Sequence, residues 1–535
     1  MNPDPGLPVQ PPSTLPTTHL QPHSERLEFT PLSTSGDGVG RSLHNVNSLG
    51  LSVVRAHGMP TEGASVLICN SYVNGPLRDG DVARNLLPDP SGDAYLHFTA
   101  VPTLSPRETL LSLTLQPGLS DYYQRVGLLS PEARIIEVNP DPRVREKPGY
   151  PHSDPLTLFR AGGGLLPSRD ADYFIATFPT DQGRALSRQN DSLAVQHFDP
   201  ADLNNKALFR ENASHYGYRV LDGFTIREAH DLARINDLAT GKYWLKLAGG
   251  SGGDLVRSFQ THESGDFERA LEGIRQAVIS AFDSAEFPEG SNLEHFWPQT
   301  SPVPTAQALV VEQDASRLGR VLINGSMNVL LKEDGRSELV DFFRQNTGAD
   351  GSYLGSERLD PEILPIALHA EILQQGEKVF RYAHENGYRG YVGFDFFVVE
   401  SEEGEPSVHC IELNARPTMS VVPALTAKKL AAFDSDRHAT YLNVNISTTA
   451  PLYSFEDFQR AVSIDGHDLT DPANTSGITI VPLAMRSLFT HSDDGGFECL
   501  VASPKVKVLV TAPRNDEAWN MLYRLEREGR ITIGE

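Results

Sequence analysis

From about residue 50 to about residue 200, short apolar runs alternate with stretches of helical character. SVLICNSYV (65–73), AYLHFTAV (94–101), RIIEVNP (134–140) and DYFIATFP (172–179) read as buried strands, because short apolar runs bounded by turn residues suit strands covered on both faces. SPRETLLSLTL, beginning at Ser105, reads as helical, with Ser105 and Glu108 at capping-box spacing, and so does TDQGRALSRQ after the last run. That alternation predicts a parallel α/β layer. Beyond about residue 200 the helices lengthen. After Ser264, Phe267, Ala270, Leu271, Ile274, Ala277, Val278 and Ala281 recur at three and four residues, which is one apolar helix face. A second helix is expected over about 362–386, ending at ENG before the strand-like YVGFDFFVV. Residues 431–535 add ITIVPLAM, VKVLVTAP and a helix around AWNMLYRLEREG, read as a small α/β lobe. Residues 1–48 are crowded with Pro, Ser, Thr and Gly and carry no apolar period, the signature of a flexible tail. No internal repeat is present.

With 535 residues, two or three packed units are expected. Lys and Arg number 46 against 70 Asp and Glu, a formal charge of −24, which argues against a nucleic acid or an anionic membrane as the main partner. Cys69, Cys410 and Cys499 lie far apart without a CxxC pair, so neither a disulfide framework nor a zinc site is expected, and a reducing, cytoplasmic setting is. No apolar run is long enough for a membrane span, and the first residues lack the basic-then-apolar order of a secretory signal.

Two segments carry candidate chemistry. In YWLKLAGGSGGDLV (243–256), Lys246 ends an apolar strand, and Gly249, Gly250, Gly252 and Gly253 surround Ser251. Glycines let successive backbone N–H groups turn toward one anion, and a neighbouring lysine adds a point charge, which suits a triphosphate. The lysine precedes the glycines and DLVRSF reads as a returning strand, so this is neither a P-loop nor a dinucleotide turn. A plain surface turn has the same composition. GGGLLP (162–167) has no lysine or helix start beside it and reads as such a turn. In RGYVGFDFFVVESEEGEPSVHCIELNARPT (389–418), Asp395 lies in one strand, with Glu412 and Asn414 in the next. Residues i and i+2 of a strand share a face, so Glu412 and Asn414 present oxygens together and Asp395 joins from the neighbouring strand. Magnesium takes a few protein oxygens and completes its octahedron with water and phosphate. Arg416 points the same way if the strand continues, where a guanidinium holds a phosphoryl group. A lone Glu-X-Asn also occurs on ordinary half-exposed hairpins.

Taken together and in this order, the segments resemble the ATP-grasp superfamily of carboxylate–amine ligases. NNKALFRENASHYGYRVLDGFTI (204–226) looks like its opening lysine, helix and strand, which makes Lys206 the first nucleotide-contacting lysine. YWLKLAGGSGGD matches the second lysine and glycine-rich lid, giving Lys246 and residues 249–253; ALVVEQDA (308–315) looks like the hinge strand, with Glu312 and Gln313 at the adenine. GFDF and IELNARPT match the metal strands, so the resemblance makes Asp395, Glu412 and Asn414 ligands of Mg2+ or Mn2+ and Arg416, with Lys246, a catalytic phosphate contact. It implies an α/β chain with an α+β ATP-grasp core: a tail (1–48), a Rossmann-like pre-ATP-grasp domain (49–200), two ATP-grasp subdomains (201–312 and 313–430) and a C-terminal lobe (431–535). The wording KLAGGSGG and the stretch 326–356 look most like peptide ligases of small-molecule or peptide natural-product biosynthesis. The implied partners are ATP, a carboxylic acid and an amine such as an amino acid or peptide; a homodimer is compatible. Two positions depart from the family. Gly393 stands where D-alanine ligases carry an arginine two residues before the metal aspartate, and after Glu312 no carboxylate is identifiable for the ribose among Asp314, Arg317 and Arg320. Alternatives are an ATP-grasp small-molecule kinase and a non-catalytic nucleotide sensor or scaffold. A biotin-dependent carboxylase is disfavoured because the chain has no AMKM-like biotinylation sequence.

Overall fold

The structure, a computed structural model, describes residues 29–31, 48–68, 94–146, 155–164, 172–176, 193–194, 203–249, 255–284, 308–347 and 353–534. In its front part, five short strands form one parallel sheet in the order Arg134–Val138, Glu108–Leu113, Ser65–Ile68, Tyr173–Ala176, Leu193–Ala194. Val66 pairs with Thr109 on one side and Phe174 on the other. The apolar runs are buried on both faces. Val66, Leu111 and Phe174 meet Leu156 of the helix Pro155–Ala161, whereas Leu67, Leu110 and Ile175 face a larger core. The expected parallel α/β layer is therefore present.

Two local expectations are corrected. Glu108–Leu113 is a fully buried strand, not a helix: Glu108 accepts from the Ser105 amide (2.6 Å), but also from the Ser48 hydroxyl (2.6 Å) and the Leu51 amide (2.8 Å), so it ties down the start of another helix, Leu49–Ala56. Residues Ala94–Thr103 form a 3-10 helix, not a strand, with Phe98, Ala100 and Val101 buried; a short apolar run does not by itself distinguish the two. The helix expected over TDQGRALSRQ lies outside the described residues.

A second sheet is small and antiparallel, ordered Gly223–Ile226, Leu309–Gln313, Lys242–Leu247, Val256–Gln260. The last two are the arms of the glycine-rich hairpin, with Lys246 opposite Val256. The helix Asp266–Ser284 covers this sheet with Ala270 and Ile274.

The third sheet has ten strands. Its path runs Pro406–Asn414, Gly390–Glu400, Arg320–Leu331, Ser337–Thr347, Tyr353–Arg358, Thr440–Thr448, Lys505–Ala512, Thr479–Met485. The C-terminal residues thus continue this sheet, joined by pairs such as Ser356 with Asn443, and add the helix Asn515–Arg527. Within the segment read as a flexible tail, Phe29–Pro31 pairs in parallel with Ser337–Leu339, and Ser48 caps the helix Leu49–Ala56; apart from these the tail is outside the described residues. No helix among the described residues is long and apolar enough to cross a membrane.

One face of the large sheet packs on Phe209 and Ala213 of the helix Lys206–Tyr216 and on Ile372 and Phe380 of the helix Ile366–Glu385. The helix Val421–Ala431 packs into the core shared with the front sheet. Lys429 of that helix is fully buried and donates to the carbonyls of Pro102 (2.8 Å) and Leu128 (3.2 Å), bolting the two parts together. Burial pushes its ammonium down to about 7, with Glu108 opposing the shift. An unfolded lysine stays protonated to a much higher pH, so between the two values the unfolded chain binds more protons and stability rises with pH. The contribution is complete above about 10.5 and is lost as pH falls through about 7. We expect the melting temperature of the native chain to gain on that of Lys429→Met as pH is raised from about 6.5 to about 9.5. Parallel profiles for the two proteins would contradict the assignment.

Candidate active site

The helix Lys206–Tyr216 starts where it does because the Asn205 side chain accepts from the amides of Ala207 (3.0 Å) and Leu208 (3.1 Å). It ends at Gly217, in the left-handed region at φ 75°. The Lys206 amide donates to Ala248 O (2.9 Å), and the Ala248 amide donates to Ala308 O (2.8 Å), so the helix start is stitched to the end of the lysine strand and to the hinge strand. Ala207, Ala248 and Ala308 form a small cluster with Val310. Small side chains permit that close approach. With Phe209 and Ala213 packed into the large-sheet core, this single helix joins the two antiparallel sheets.

The junction gathers the charges. Lys206 Nζ lies 2.7 Å from Glu412 Oε2. Arg210, one helical turn later, puts Nη2 2.8 Å from Glu312 Oε2, while Lys246 donates to Glu312 Oε1. Asp395 and Glu412 are direct partners across adjacent strands, and Asp395 is also opposite Ser326. Asn414 Nδ2 sits 3.3 Å from Asp395 Oδ2 and 3.5 Å from Glu412 Oε1. Burial and the neighbouring Glu412 push the Asp395 carboxyl up, against hydrogen bonds from Ser326 and Gln345. Burial also acts to raise Glu412, but Lys206, Arg416 and Lys246 hold it well below the usual carboxylate range. Two half-buried carboxylates in contact are costly without positive charge between them, and an amide oxygen beside them completes a hard-oxygen donor set. The residues fit a magnesium-sized cation in their chemistry: turning the Asn414 amide over would put its oxygen in place of Nδ2, beside both carboxylates. Among the described residues no cluster of three or more His, Cys, Asp or Glu is placed to hold a metal ion, and this set reaches three donors only through the Asn414 amide.

The strand carrying Glu412 stops at Asn414, so Arg416 does not share its face by simple alternation as expected. The chain turns there, with the Arg416 amide donating to Asn414 O (2.9 Å). Arg416 still reaches the cluster, and its Nη1 donates to Asn204 Oδ1, which also accepts from the Ala415 amide (2.9 Å). Glu312 is 3% exposed and its carboxylate is taken by Lys246 and Arg210. The Gln313 amide donates to Asp222 O (2.8 Å). At Gly223 a Cβ would lie 2.0 Å from Val311 O, so only glycine allows this hinge pairing. Gly249 begins the glycine-rich turn; Gly250, Ser251, Gly252 and Gly253 lie outside the described residues.

Both departures noted in the sequence have a physical setting. A Cβ at Gly393 would lie 2.2 Å from Asn328 Oδ1, so the space two residues before Asp395 is filled by Asn328, which accepts from Thr418 Oγ1 (2.8 Å). Asp314 is bound by Trp244 Nε1 (2.8 Å) and Lys242 (3.2 Å), Arg317 lies over the Tyr243 ring and Arg320 pairs with Glu400 (2.7 Å). Asn204, Arg210, Ser326 and Gln345 were not foreseen. Only Arg210 had a sequence signal, its i+4 spacing from Lys206.

No protein-family model matches the sequence, and no curated protein matches it. Solved structures do show likeness. The biotin carboxylase domain of Hydrogenobacter thermophilus 2-oxoglutarate carboxylase, solved with MgADP, ADP and bicarbonate, is similar over 88% of this chain and 91% of its own, at 13% identity and a TM-score of 0.47. The L-amino acid ligase of Bacillus licheniformis is similar over 88% of this chain and 98% of its own (11% identity, TM-score 0.44). N5-carboxyaminoimidazole synthetase of Staphylococcus aureus, complexed with ADP, is similar over 86% and 97% (11% identity, TM-score 0.43).

The repulsion at Asp395 makes a stability prediction. In metal-free buffer Asp395→Asn removes one of two touching, half-buried carboxylates at nearly constant shape, and it should raise stability by about 1 kcal/mol, read as a higher melting temperature. A variant that melts below the native chain under these conditions would contradict the strain described here.

Proposed function

We propose that the chain is an ATP-grasp enzyme, an ATP-dependent carboxylate–amine ligase that releases ADP and phosphate. The observation that carries this reading is the meeting, at one helix-made junction, of Lys206 with a half-buried Asp–Glu–Asn oxygen set, while Lys246, held by Glu312 on a separate element, adds its charge to the same field. Lys206, Lys246 and the 249–253 turn hold the nucleotide phosphates, and the 309–313 strand with Glu312 and Gln313 borders the adenine. Asp395, Glu412 and Asn414 would hold Mg2+, which would supply positive charge to offset that of the nucleotide phosphates. Arg416 steadies the phosphoryl group in transit.

In the reaction, a carboxylate oxygen of the acid attacks the γ-phosphorus and the β–γ bridge breaks, giving an acyl phosphate and ADP. The amine nitrogen then attacks the acyl carbon, phosphate leaves and a proton is lost from nitrogen. The acyl phosphate hydrolyses readily, so the glycine-rich turn acts as a lid that keeps water out between the steps. The front domain and the C-terminal strands shape the acid and amine pockets, with a small carboxylic acid and an amino acid or peptide amine as substrates in small-molecule or peptide natural-product biosynthesis.

Incubation with Mg-ATP, the common amino acids and a panel of small carboxylic acids is expected to yield ADP and a new mass equal to two components less water. Lys246→Ala should lower ADP release by about 100-fold or more. AMP as product would rule out the acyl-phosphate route, and a phosphorylated acid that accumulates regardless of amine would make the protein a kinase.

A further inference from the structure

Arg416 lies beyond the end of its strand, so the ladder does not aim its side chain. What meets it is a side chain from a different element. Asn204 Oδ1 accepts from Arg416 Nη1 and from the Ala415 amide (2.9 Å), gripping both the backbone of the turn and the guanidinium it carries. Asn204 precedes the capping residue Asn205 and, by two positions, Lys206, whose ammonium lies 2.7 Å from Glu412. One turn therefore places a lysine on the first metal carboxylate and a guanidinium beside the same carboxylates. We infer that Asn204 is a positioning residue that aims Arg416 at the transferring phosphoryl group and sets it in register with Lys206. The inference rests on the nucleotide reading given above.

The choice of amide has a chemical reason. An acceptor is needed to direct a guanidinium, and a carboxylate there would neutralise the charge that Arg416 is to offer the phosphate. It would also add a third acid to a site that already holds two. An amide oxygen directs without neutralising. The informative substitution is thus Asn204→Asp, which keeps both hydrogen bonds and the shape but takes up the arginine's charge, while Asn204→Ala removes the acceptor.

The test measures binding of ADP and of adenylyl imidodiphosphate, each with Mg2+, to the full chain, so that the γ-phosphate preference is read without turnover. The native chain should prefer the triphosphate analogue. Asn204→Ala and Asn204→Asp should each lose about 10-fold of that preference, with ADP affinity changed less than about 2-fold. In the Arg416→Ala background Asn204→Ala should cost nothing further, because the residue it aims is gone. A merely structural asparagine would weaken ADP and the analogue alike, and its effect would add to that of Arg416→Ala; either result overturns the positioning role. A native chain that binds neither nucleotide overturns the nucleotide reading itself and this assignment with it, and Asn204→Ala with native preference overturns the assignment alone.

Discussion

The arrangement depends on one electrostatic constraint: two half-buried carboxylates, Asp395 and Glu412, face each other across adjacent strands. Charges so placed lose their hydration and repel one another, and a fold tolerates them only where other elements bring positive charge to the spot. Lys206, Lys246 and Arg416 do this from a helix, a hairpin strand and a turn that are far apart in the chain. The positions of those three elements follow. The bridging helix must start where Lys206 reaches Glu412, the hairpin strand must end where its lysine enters the same field, and the chain after Asn414 must turn instead of extending.

The same logic gives Glu312 its place. It holds Lys246 and Arg210 together at the hinge strand, 3% exposed. In the proposed reaction Lys246 leaves Glu312 for a phosphate, and Arg210 remains as its partner, so no buried carboxylate is stranded when the lysine moves. Arg210 thereby lowers the cost of the lysine's change of partner. The alanines at 207, 248 and 308 serve the geometry: larger side chains there would push the helix from the sheet edge and separate Lys206 from Glu412.

Much of this was legible in the sequence because the signals were local. Alternation across IELN placed Glu412 and Asn414 on one face, GFDF placed a carboxylate in a matching strand, and the lysine followed by glycines marked a hairpin; the register of Asp395 with Glu412 and of Lys246 with Val256 agrees with those readings. The helices over 266–284 and 366–385 followed from their apolar period. What was not legible depended on tertiary placement. Glu108 looked like the third residue of a helix but sits in a strand, because its carboxylate caps the distant helix at Leu49 and the leucines after it are buried on both faces. The C-terminal strands read as a small α/β lobe, and nothing in their own residues reveals that Asn443 pairs with Ser356. Asn204 and Ser326 gave no signal at all, because a neutral polar side chain becomes informative only when its partner is known.

The central claim is that the Asp395–Glu412–Asn414 set joins a nucleotide to the protein through a divalent cation. Titration of ADP into the native chain and into Asp395→Asn, each with Mg2+ and with a chelator, tests it most directly. The account predicts that Mg2+ tightens ADP binding to the native chain by about 10-fold or more and has little effect on the variant. ADP binding of equal strength with and without Mg2+, or a Mg2+ effect that survives in Asp395→Asn, would contradict it.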